Sequence, residues 1–371
     1  MIKKILVIVG TRPNFIKVTQ FKKEAVNNGL ELKIVHTGQH FDDKMADVFF
    51  RQFDLVPDYF LNISVQSKPE IQINEIQKAL ESLIKKTFAP DLIVVVGDVN
   101  STLAGALTAK RLNKKLAHVE SGLRSFDDTM PEERNRILTD KVSDLFFVTE
   151  QSGIDNLLNE GVDKNKIFFV GNTMIDTMVH FNKQIETSTV LNDLKLQKNN
   201  SIGNEHFVLI TMHRPATVDT KEGLEKLLTL LNEISKTYKI IFPVHPRTIK
   251  NMELFNLKEK FYSIKEILFT EPLDYFAFQK LVKYCRFILT DSGGIQEEST
   301  FLKIPCLTLR PNTERPVTCT LGTNTLIPFE VSIVLTYIYK IEKGTYKKGE
   351  VPPMWDGNAT QRIFKILKEI K

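Results

Sequence analysis

Short apolar runs alternate with longer amphipathic stretches along most of the chain, and this alternation restricts the possible folds more than any other feature. Apolar runs of this length are typical of strands buried on both faces of a parallel sheet, and the stretches between them have the length of crossover helices. The chain is therefore predicted to be an α/β protein with doubly wound parallel sheets. The apolar runs lie at residues 5–9, 32–35, 92–96, 116–119, 145–148 and 167–170, and again at 207–211, 240–244, 287–289 and 304–309.

The two series of apolar runs predict two domains. A chain of 371 residues is too long for one ordinary core and suits two α/β domains of roughly 150–200 residues each. We place the first domain at residues 1–171 and the second at residues 172–355, followed by a C-terminal amphipathic helix within residues 356–371. A polar stretch at residues 186–205 is expected to form a loop near the domain boundary.

The charge and cysteine content exclude several classes of protein. The net charge of +5 is modest, and the lysines are scattered instead of forming the basic blocks typical of nucleic-acid-binding proteins. Three cysteines without a CxxC pair form no zinc or disulfide framework and suit a reducing compartment. The apolar run at residues 5–9 is too short to span a membrane. We therefore expect a cytoplasmic protein with a small anionic substrate and no nucleic-acid, membrane or metal partner.

An anion-binding turn is predicted where the apolar run 287–289 ends. Ser292, Gly293 and Gly294 have small side chains or none, so main-chain N–H groups at the start of the next helix are free to face a phosphate. One of the two acids that follow, Glu297 or Glu298, is expected to accept hydrogen bonds from sugar hydroxyls. The alternative is an ordinary strand-to-helix turn, which also favours Ser and Gly.

Polar residues follow several predicted strands in both halves. Ligands of doubly wound sheets bind beyond the carboxyl ends of the strands, so two such domains are expected to place these residues around a shared cleft. The polar segments are residues 10–13, 37–40, 97–101, 120–122, 213–214 and 245–247.

The absence of other motifs narrows the chemistry. The sequence has no GxGxxG, no GxxxxGK[ST] and no GxSxG, which disfavours a nicotinamide-dependent oxidoreductase, a P-loop protein and a serine hydrolase. We expect acid–base chemistry on a phosphate-bearing ligand, carried out by Asp98, Glu120, His213 and the pair Glu132 and Glu133.

Each of these residues also has a structural interpretation. Asp98 has the position of a helix N-cap, and His213 that of an ordinary strand-end histidine. Acids directly after Pro131 are favoured in a first helical turn by the helix dipole. Because adjacent helical residues point about 100° apart, only one of Glu132 and Glu133 is expected to reach a sugar.

Separated motifs along the chain carry a specific resemblance. They are Gly10-Thr11-Arg12-Pro13, Thr37-Gly38-Gln39-His40, Gly97-Asp98, His118-Val119-Glu120-Ser121-Gly122-Leu123-Arg124, Pro131-Glu132-Glu133-Arg134-Asn135-Arg136, Gly171-Asn172-Thr173, Glu271-Pro272-Leu273-Asp274-Tyr275, Asp291-Ser292-Gly293-Gly294-Ile295-Gln296-Glu297-Glu298 and Thr313-Glu314-Arg315-Pro316. In this order they resemble the non-hydrolysing UDP-N-acetylglucosamine (UDP-GlcNAc) 2-epimerases, and the match spans nearly the whole chain.

The resemblance implies a fold, an activity and partners. The fold is the GT-B type, with two Rossmann-like domains and a C-terminal helix that packs back on the first. The implied activity is reversible conversion of UDP-GlcNAc to UDP-N-acetylmannosamine (UDP-ManNAc). The resemblance also implies a homodimer that needs no organic cofactor and that provides precursors for the synthesis of cell-surface polysaccharides.

The resemblance also implies roles for individual residues. It identifies Asp98, Glu120, Glu132 and His213 as catalytic, and so selects Glu132 over Glu133. Phe278, which is expected to contact uracil, has the alternative role of a core aromatic, and Lys17 by itself resembles a solvated lysine. The implied substrate-binding residues are Arg12, Lys17, Arg136 and Arg315, with Ser292, Gly293 and Gly294 on the phosphates, Glu298 on the ribose and Phe278 on the uracil.

Departures from the commonest family pattern leave the substrate and its control open. Asp42 and Pro215 replace a glutamine and an arginine that hold a second, activating UDP-GlcNAc in many bacterial members, so we expect no activator requirement. The alternatives are an epimerase of a related UDP-2,3-diacetamido sugar, a hydrolysing epimerase, a GT-B glycosyltransferase and a nucleotide-sugar-binding protein without turnover.

Overall fold

The computed structural model describes residues 2–38, 50–61, 63, 68–196 and 207–370. The chain forms two compact units. The first contains Met1–His180 together with Pro353–Lys371, and the second contains Phe181–Pro352.

The first unit is built on a parallel sheet of seven described strands in the order β3-β2-β1-β4-β5-β6-β7. The order reverses between β1 and β4, which pair in parallel, and this reversal is typical of a doubly wound sheet. The strands are β1 Lys4–Val9, β2 Glu31–His36, β3 Tyr59–Phe60, β4 Leu92–Val96, β5 Lys115–Val119, β6 Leu145–Val148 and β7 Ile167–Phe169.

Helices connect these strands. The described helices of the first unit are α1 Arg12–Ile16, α2 Phe21–Asn27, α3 Pro69–Lys86, α4 Asn100–Arg111, α5 Pro131–Val142, α6 Gln151–Asn159 and α7 Thr173–His180, with a 3₁₀ turn at Lys164–Lys166. Helix α5 follows β5 and carries the predicted acids Glu132 and Glu133 in its first turn.

The second unit repeats the architecture with six described parallel strands in the order β10-β9-β8-β11-β12-β13. The strands are β8 Phe207–Thr211, β9 Lys239–Pro243, β10 Ile267–Thr270, β11 Ile288–Thr290, β12 Cys306–Thr308 and β13 Asn324–Leu326. The helices are α8 Asn182–Thr187, α9 Val190–Asp193, α10 Pro215–Val218, α11 Lys221–Ser235, α12 Pro246–Leu254, α13 Lys258–Tyr262, α14 Tyr275–Tyr284, α15 Gly294–Phe301, α16 Val317–Thr320 and α17 Val331–Glu342.

Both faces of the second sheet are covered, as the apolar runs predicted. Along β8, Val208 and Ile210 belong to one hydrophobic cluster, whereas Phe207 and Leu209 belong to another. Successive side chains of a strand point to opposite faces. A central strand between two helical layers must therefore be apolar at every position.

The three strands that the apolar runs did not predict, β3, β10 and β13, all lie at sheet edges. Most of their residues are only half-buried. Strand β3 has only two residues, and β13 begins with the polar residues Asn324 and Thr325, so neither has the apolar run of a central strand. The predicted loop at residues 186–205 was wrong in part, because it includes helix α9; residues 197–206 lie outside the described part of the chain.

The C-terminal segment belongs to the first unit. Its helix α18, Ala359–Glu369, receives its N-terminal cap from another helix, since the Asp176 carboxylate accepts hydrogen bonds from the main-chain N–H groups of Ala359 at 3.0 Å and Thr360 at 2.6 Å. Phe364 packs edge-on against Phe21. Asp176 lies on α7, so its hydrogen bonds to α18 join α7 to the first unit. The two units therefore divide between His180 and Phe181 instead of at the predicted residue 171.

No described helix is both long enough and apolar enough to cross a membrane.

Candidate active site

The predicted acid Glu120 forms a buried ion pair at the end of β5. Lys17 Nζ lies 2.5 Å from Glu120 Oε2, and both side chains are almost inaccessible to solvent. The other carboxylate oxygen, Oε1, is also buried and has no hydrogen-bond partner among the described residues. Lys17 thus compensates the charge of Glu120, while one carboxylate oxygen remains without a described hydrogen bond.

Gly97, at the end of β4, leaves room for this pair. Its φ of +69° favours glycine, and a Cβ there would lie 3.2 Å from Asn14 Nδ2, 3.4 Å from Lys17 Nζ and 3.6 Å from Glu120 Oε2. A side chain at position 97 would therefore be strained in the backbone and would crowd the three polar groups.

Asn14 was not predicted as a site residue, although it organises the turn after β1. Its Oδ1 accepts hydrogen bonds from Gly10 N at 3.3 Å and from Thr11 Oγ1 at 3.0 Å, and its Nδ2 donates to Val96 O at 3.0 Å. Asn14 thereby joins the carboxyl ends of β1 and β4. The one sequence signal for this role was its position directly after the polar segment 10–13 that follows a buried strand.

Asp98 is held at its side chain and at its main chain. Arg136 donates to Asp98 Oδ2 from Nε at 3.1 Å and lies 2.9 Å from it through Nη2. Asn135 Nδ2 donates to the main-chain oxygen of Asp98 at 2.9 Å. Asp98 Oδ1 forms no hydrogen bond or ion pair with a described residue, and the side chain is partly exposed. Asp98 therefore does not act as a helix cap through its side chain.

The two acids at the start of α5 have different environments. Glu133 is buried and hydrogen-bonded to the 125–126 loop, whereas Glu132 is half-buried and has no partner among the described residues. Glu132 is therefore the more accessible of the two carboxylates, and its role in catalysis stays a prediction.

A buried polar chain that was also not predicted lies behind the end of β5. His118 Nδ1 is 2.6 Å from Asp140 Oδ1, and Nε2 is 2.8 Å from Gly97 O. The second oxygen of Asp140 lies 2.7 Å from Arg124 Nη2 and accepts from Gly122 N at 3.0 Å. Burial raises the pKa of the Asp140 carboxyl, but His118 and Arg124 more than offset this, so the pKa lies below its usual range.

The predicted phosphate turn has free main-chain donors. Helix α15 begins at Gly294, with Gly293 as its N-cap. Gln296 Nε2 donates to Ser292 O at 3.2 Å, so this carbonyl points toward the helix. Because the C=O and N–H groups of a trans peptide point in opposite directions, the N–H of Gly293 points away from the helix. Among the described residues, no group accepts a hydrogen bond from the N–H of Gly293 or Gly294. The turn is therefore able to bind an anion.

Arginines lie close to this turn. A Cβ at Gly293 would lie 3.2 Å from Arg315 Nη1 and 3.7 Å from Arg310 Nη1. Glu314 is ion-paired with both arginines, and Arg315 Nε also lies 2.7 Å from Glu297 Oε2. Of the two acids in the helix, Glu297 is therefore the one that is ion-paired with Arg315.

The other acid of the helix, Glu298, is buried beside Gln279 and Tyr275. Burial raises the pKa of Glu298 to about 7. Phe278 is half-buried and packs against the hydrophobic cluster of α14 and α15, which agrees with its alternative interpretation as a core aromatic.

His213 follows β8 and is tied to β11. Asp291 accepts hydrogen bonds from the main-chain N–H groups of His213 and Arg214, and His213 Nδ1 lies 3.2 Å from Asp291 Oδ1. Burial lowers the pKa of His213; Asp291 opposes this effect, and the charges of Arg214 and Arg247 add to it.

Fewer contacts are described for the remaining residues that the sequence analysis singled out. Arg12 is half-buried at the start of α1. Pro215 opens α10 and is exposed, whereas Gln39, His40 and Asp42 lie outside the described residues. Within the described ranges, no three His, Cys, Asp or Glu side chains are grouped to hold a metal ion.

Comparisons with known proteins agree with this architecture. The family model described as UDP-N-acetylglucosamine 2-epimerase matches residues 22–368. The UDP-N-acetylglucosamine 2-epimerase of Methanocaldococcus jannaschii is 40% identical over 98% of both chains. The UDP-2,3-diacetamido-2,3-dideoxy-D-glucuronate 2-epimerase of Pseudomonas aeruginosa is 38% identical over 87% of this chain and 88% of its own.

A solved structure shows the same fold. The crystal structure of the M. jannaschii UDP-GlcNAc 2-epimerase in complex with UDP-GlcNAc and UDP matches with a TM-score of 0.88 at 40% identity, covering 99% of this chain and 100% of that chain. The protein is thus a two-domain, parallel-sheet α/β protein of the GT-B type, as predicted. It belongs to the UDP-N-acetylglucosamine 2-epimerase family.

Proposed function

We propose that this protein is a non-hydrolysing UDP-GlcNAc 2-epimerase that converts UDP-GlcNAc reversibly to UDP-ManNAc. One observation carries the proposal beyond family membership. In both Glu120 and Asp98, one carboxylate oxygen is held by a buried cation and the other has no partner among the described residues. Two such carboxylates at neighbouring strand ends suit proton transfer on a bound ligand.

The chemistry explains the need for several acids. The C2 hydrogen of an N-acetylhexosamine is not next to a carbonyl, so its removal requires a leaving group. As a base takes the C2 proton, the C–H electron pair forms a C1–C2 double bond and the C1–O bond breaks, giving UDP and 2-acetamidoglucal. Return of a proton to the opposite face of C2, with attack of the UDP oxygen on C1, gives the epimer. Asp98, Glu120 and Glu132 are the proposed acid–base groups.

The second unit supplies the proposed nucleotide site. The N–H groups of Gly293 and Gly294, with Ser292 and Arg315, bind the diphosphate and stabilise the charge that develops on UDP as it leaves. Glu298 accepts hydrogen bonds from the ribose, Phe278 contacts the uracil, and His213 of the same unit is a further proposed substrate contact. In the first unit, Arg12 and Lys17 are the residues proposed to take part in substrate binding. Because burial lowers the pKa of His213, its ring is a neutral hydrogen-bond partner at pH 7.

The substrate is tested by proton NMR of the purified protein with UDP-GlcNAc in D₂O. We expect UDP-ManNAc to appear with deuterium at C2, since the base exchanges its proton with solvent before returning it. Free N-acetylmannosamine as the main product would contradict the non-hydrolysing reaction. An unchanged spectrum would contradict the substrate.

The second candidate substrate is a UDP-2,3-diacetamido sugar. The name of the P. aeruginosa relative, which is 38% identical, supports this class. The same NMR experiment with that sugar distinguishes the two candidates, because the preferred substrate has the higher kcat/KM. We further propose that the protein acts in the cytoplasm as a homodimer and supplies cell-surface polysaccharide synthesis.

A further inference from the structure

We infer that Glu133 and Arg136 are positioning residues that fix the Asp98 carboxylate and that neither contacts the substrate. The inference rests on the proposed function, because it assigns Asp98 a part in the reaction. It gives Arg136 a different role from the substrate contact that the family resemblance implies.

Both oxygens of Glu133 are occupied. Oε1 accepts hydrogen bonds from the main-chain N–H groups of Ser125 and Phe126, each at 3.0 Å. Oε2 accepts from Ser125 N at 2.9 Å and Ser125 Oγ at 3.0 Å, and it also pairs with Arg136 Nη1. Glu133 is only 1% exposed. A carboxylate with these partners has no oxygen left for a sugar.

The Arg136 side chain links Glu133 to Asp98. Its Nη1 is held by Glu133, while Nε and Nη2 both face Asp98 Oδ2 at 3.1 and 2.9 Å. The residue is 2% exposed. Because both contacts fall on one oxygen of Asp98, they fix the direction in which the other oxygen points.

Glu133 also holds the segment that joins the two other proposed acids. Phe126, 81% exposed and with a φ of +57°, lies between Glu120, which directly follows β5, and Glu132 on α5. A non-glycine residue in this conformation is strained and persists only where its surroundings hold it. The hydrogen bonds from Ser125 and Phe126 to Glu133 supply that restraint.

The series of contacts from Glu133 through Arg136 to Asp98 has a consequence for catalysis. A misplacement of about 1 Å in a reacting group can lower a rate by about 10²-fold. If Glu133 loses its charge, Arg136 loses the anchor at Nη1, and Asp98 is held less firmly. We expect Glu133→Gln to lower kcat by about tenfold or more, with KM changed by less than about threefold, because substrate contacts remain.

The test measures kcat, KM and melting temperature for wild type, Glu133→Gln and Arg136→Lys with UDP-GlcNAc. The matched control is Arg134→Gln, since Arg134 is exposed on the same helix and its side chain has no described hydrogen bond or ion pair; it should behave as wild type. Arg136→Lys keeps the charge but loses the planar pair of contacts to Asp98, and it tests the inference even if Glu133→Gln fails to fold. A raised KM with unchanged kcat in Arg136→Lys would identify a substrate-binding arginine and overturn the inference.

A double variant separates positioning from general stabilisation. If Glu133 acts through Asp98, adding Glu133→Gln to Asp98→Asn should lower kcat by less than about twofold beyond Asp98→Asn alone. Losses that multiply would overturn the inference, as would Glu133→Gln with a wild-type rate. If the wild type is active, either of these two results overturns the inference but leaves the proposed function intact. If the wild type shows no turnover of UDP-GlcNAc, the proposed function and the inference both fail.

Discussion

Lys17 and Glu120 form a buried ion pair, 2.5 Å from Nζ to Oε2, between the end of helix α1 and the residue that follows strand β5. The φ of Glu120 is +70°, a backbone conformation that costs free energy for a residue other than glycine. A strained residue with a buried charge at a strand end is typical of a functional site.

The Lys17–Glu120 pair gives a test that separates stability from activity. Removing one partner of a buried pair typically costs about 3–5 kcal/mol, whereas replacing both is often close to neutral. Lys17→Met should therefore lower the free energy of unfolding in urea, and Lys17→Met with Glu120→Gln should recover most of the loss. The double variant should remain inactive by the NMR assay. Recovery of activity together with stability would show that the pair has only a structural role.

The acids Asp98 and Glu132 should be necessary for turnover but not for folding. Asp98→Asn and Glu132→Gln remove a negative charge with almost no change in shape, so each should lower kcat by about 10²-fold or more. The melting temperature is the control for Glu132→Gln, which loses no described contact. A Glu132→Gln variant with a near-normal rate would mean that this acid is not part of the reaction.

Gly293 should be essential for diphosphate binding. Its φ of −76° permits any side chain, so Gly293→Val tests the space at the turn and not the backbone. A Cβ there would lie 2.8 Å from Glu314 Oε1, and the branched side chain would cover the N–H groups. By calorimetry, UDP should bind at least tenfold more weakly, a loss of about 1.4 kcal/mol. Uridine, which has no phosphate, is the control ligand, and unchanged UDP binding would identify a plain strand-to-helix turn.

His36 should make the stability of the protein depend on pH in the acidic range. Its ring is buried, Nδ1 accepts from Gly38 N at 3.1 Å, and burial lowers the pKa to about 4. The unfolded chain, with the ordinary value of 6.5, binds the proton first as the pH falls. The free energy of unfolding should therefore decrease by about 3 kcal/mol between pH 6.5 and 4 on account of this residue.

The control for His36 is His36→Gln, which keeps a hydrogen-bond acceptor and does not titrate. Urea unfolding at several pH values should show a smaller decrease for this variant than for wild type. Equal decreases would show that other groups cause the acid sensitivity.

The central strands and the turn before α15 could be located from short stretches of sequence. Strands β4, β6 and β8 have the bounds that their apolar runs predicted, because a strand covered on both faces is apolar at each position, and that pattern is local. The turn at Gly293 and the start of α15 were likewise predicted from small residues between a strand and a helix. The edge strand β13, with the sequence Asn-Thr-Leu, lacks the pattern because an edge strand has a neighbouring strand on one side only.

The partners of the charged residues depended on contacts between distant parts of the chain. Glu120 and Lys17 lie 103 residues apart, and nothing near either of them in sequence identifies the other. Glu132 and Glu133 are adjacent and chemically identical, yet one is half-buried without a described partner and the other is buried on Ser125 and Arg136. Which of two such acids is available to a ligand is decided by the side of the helix that packs, because burial and hydrogen bonding are properties of the assembled layers.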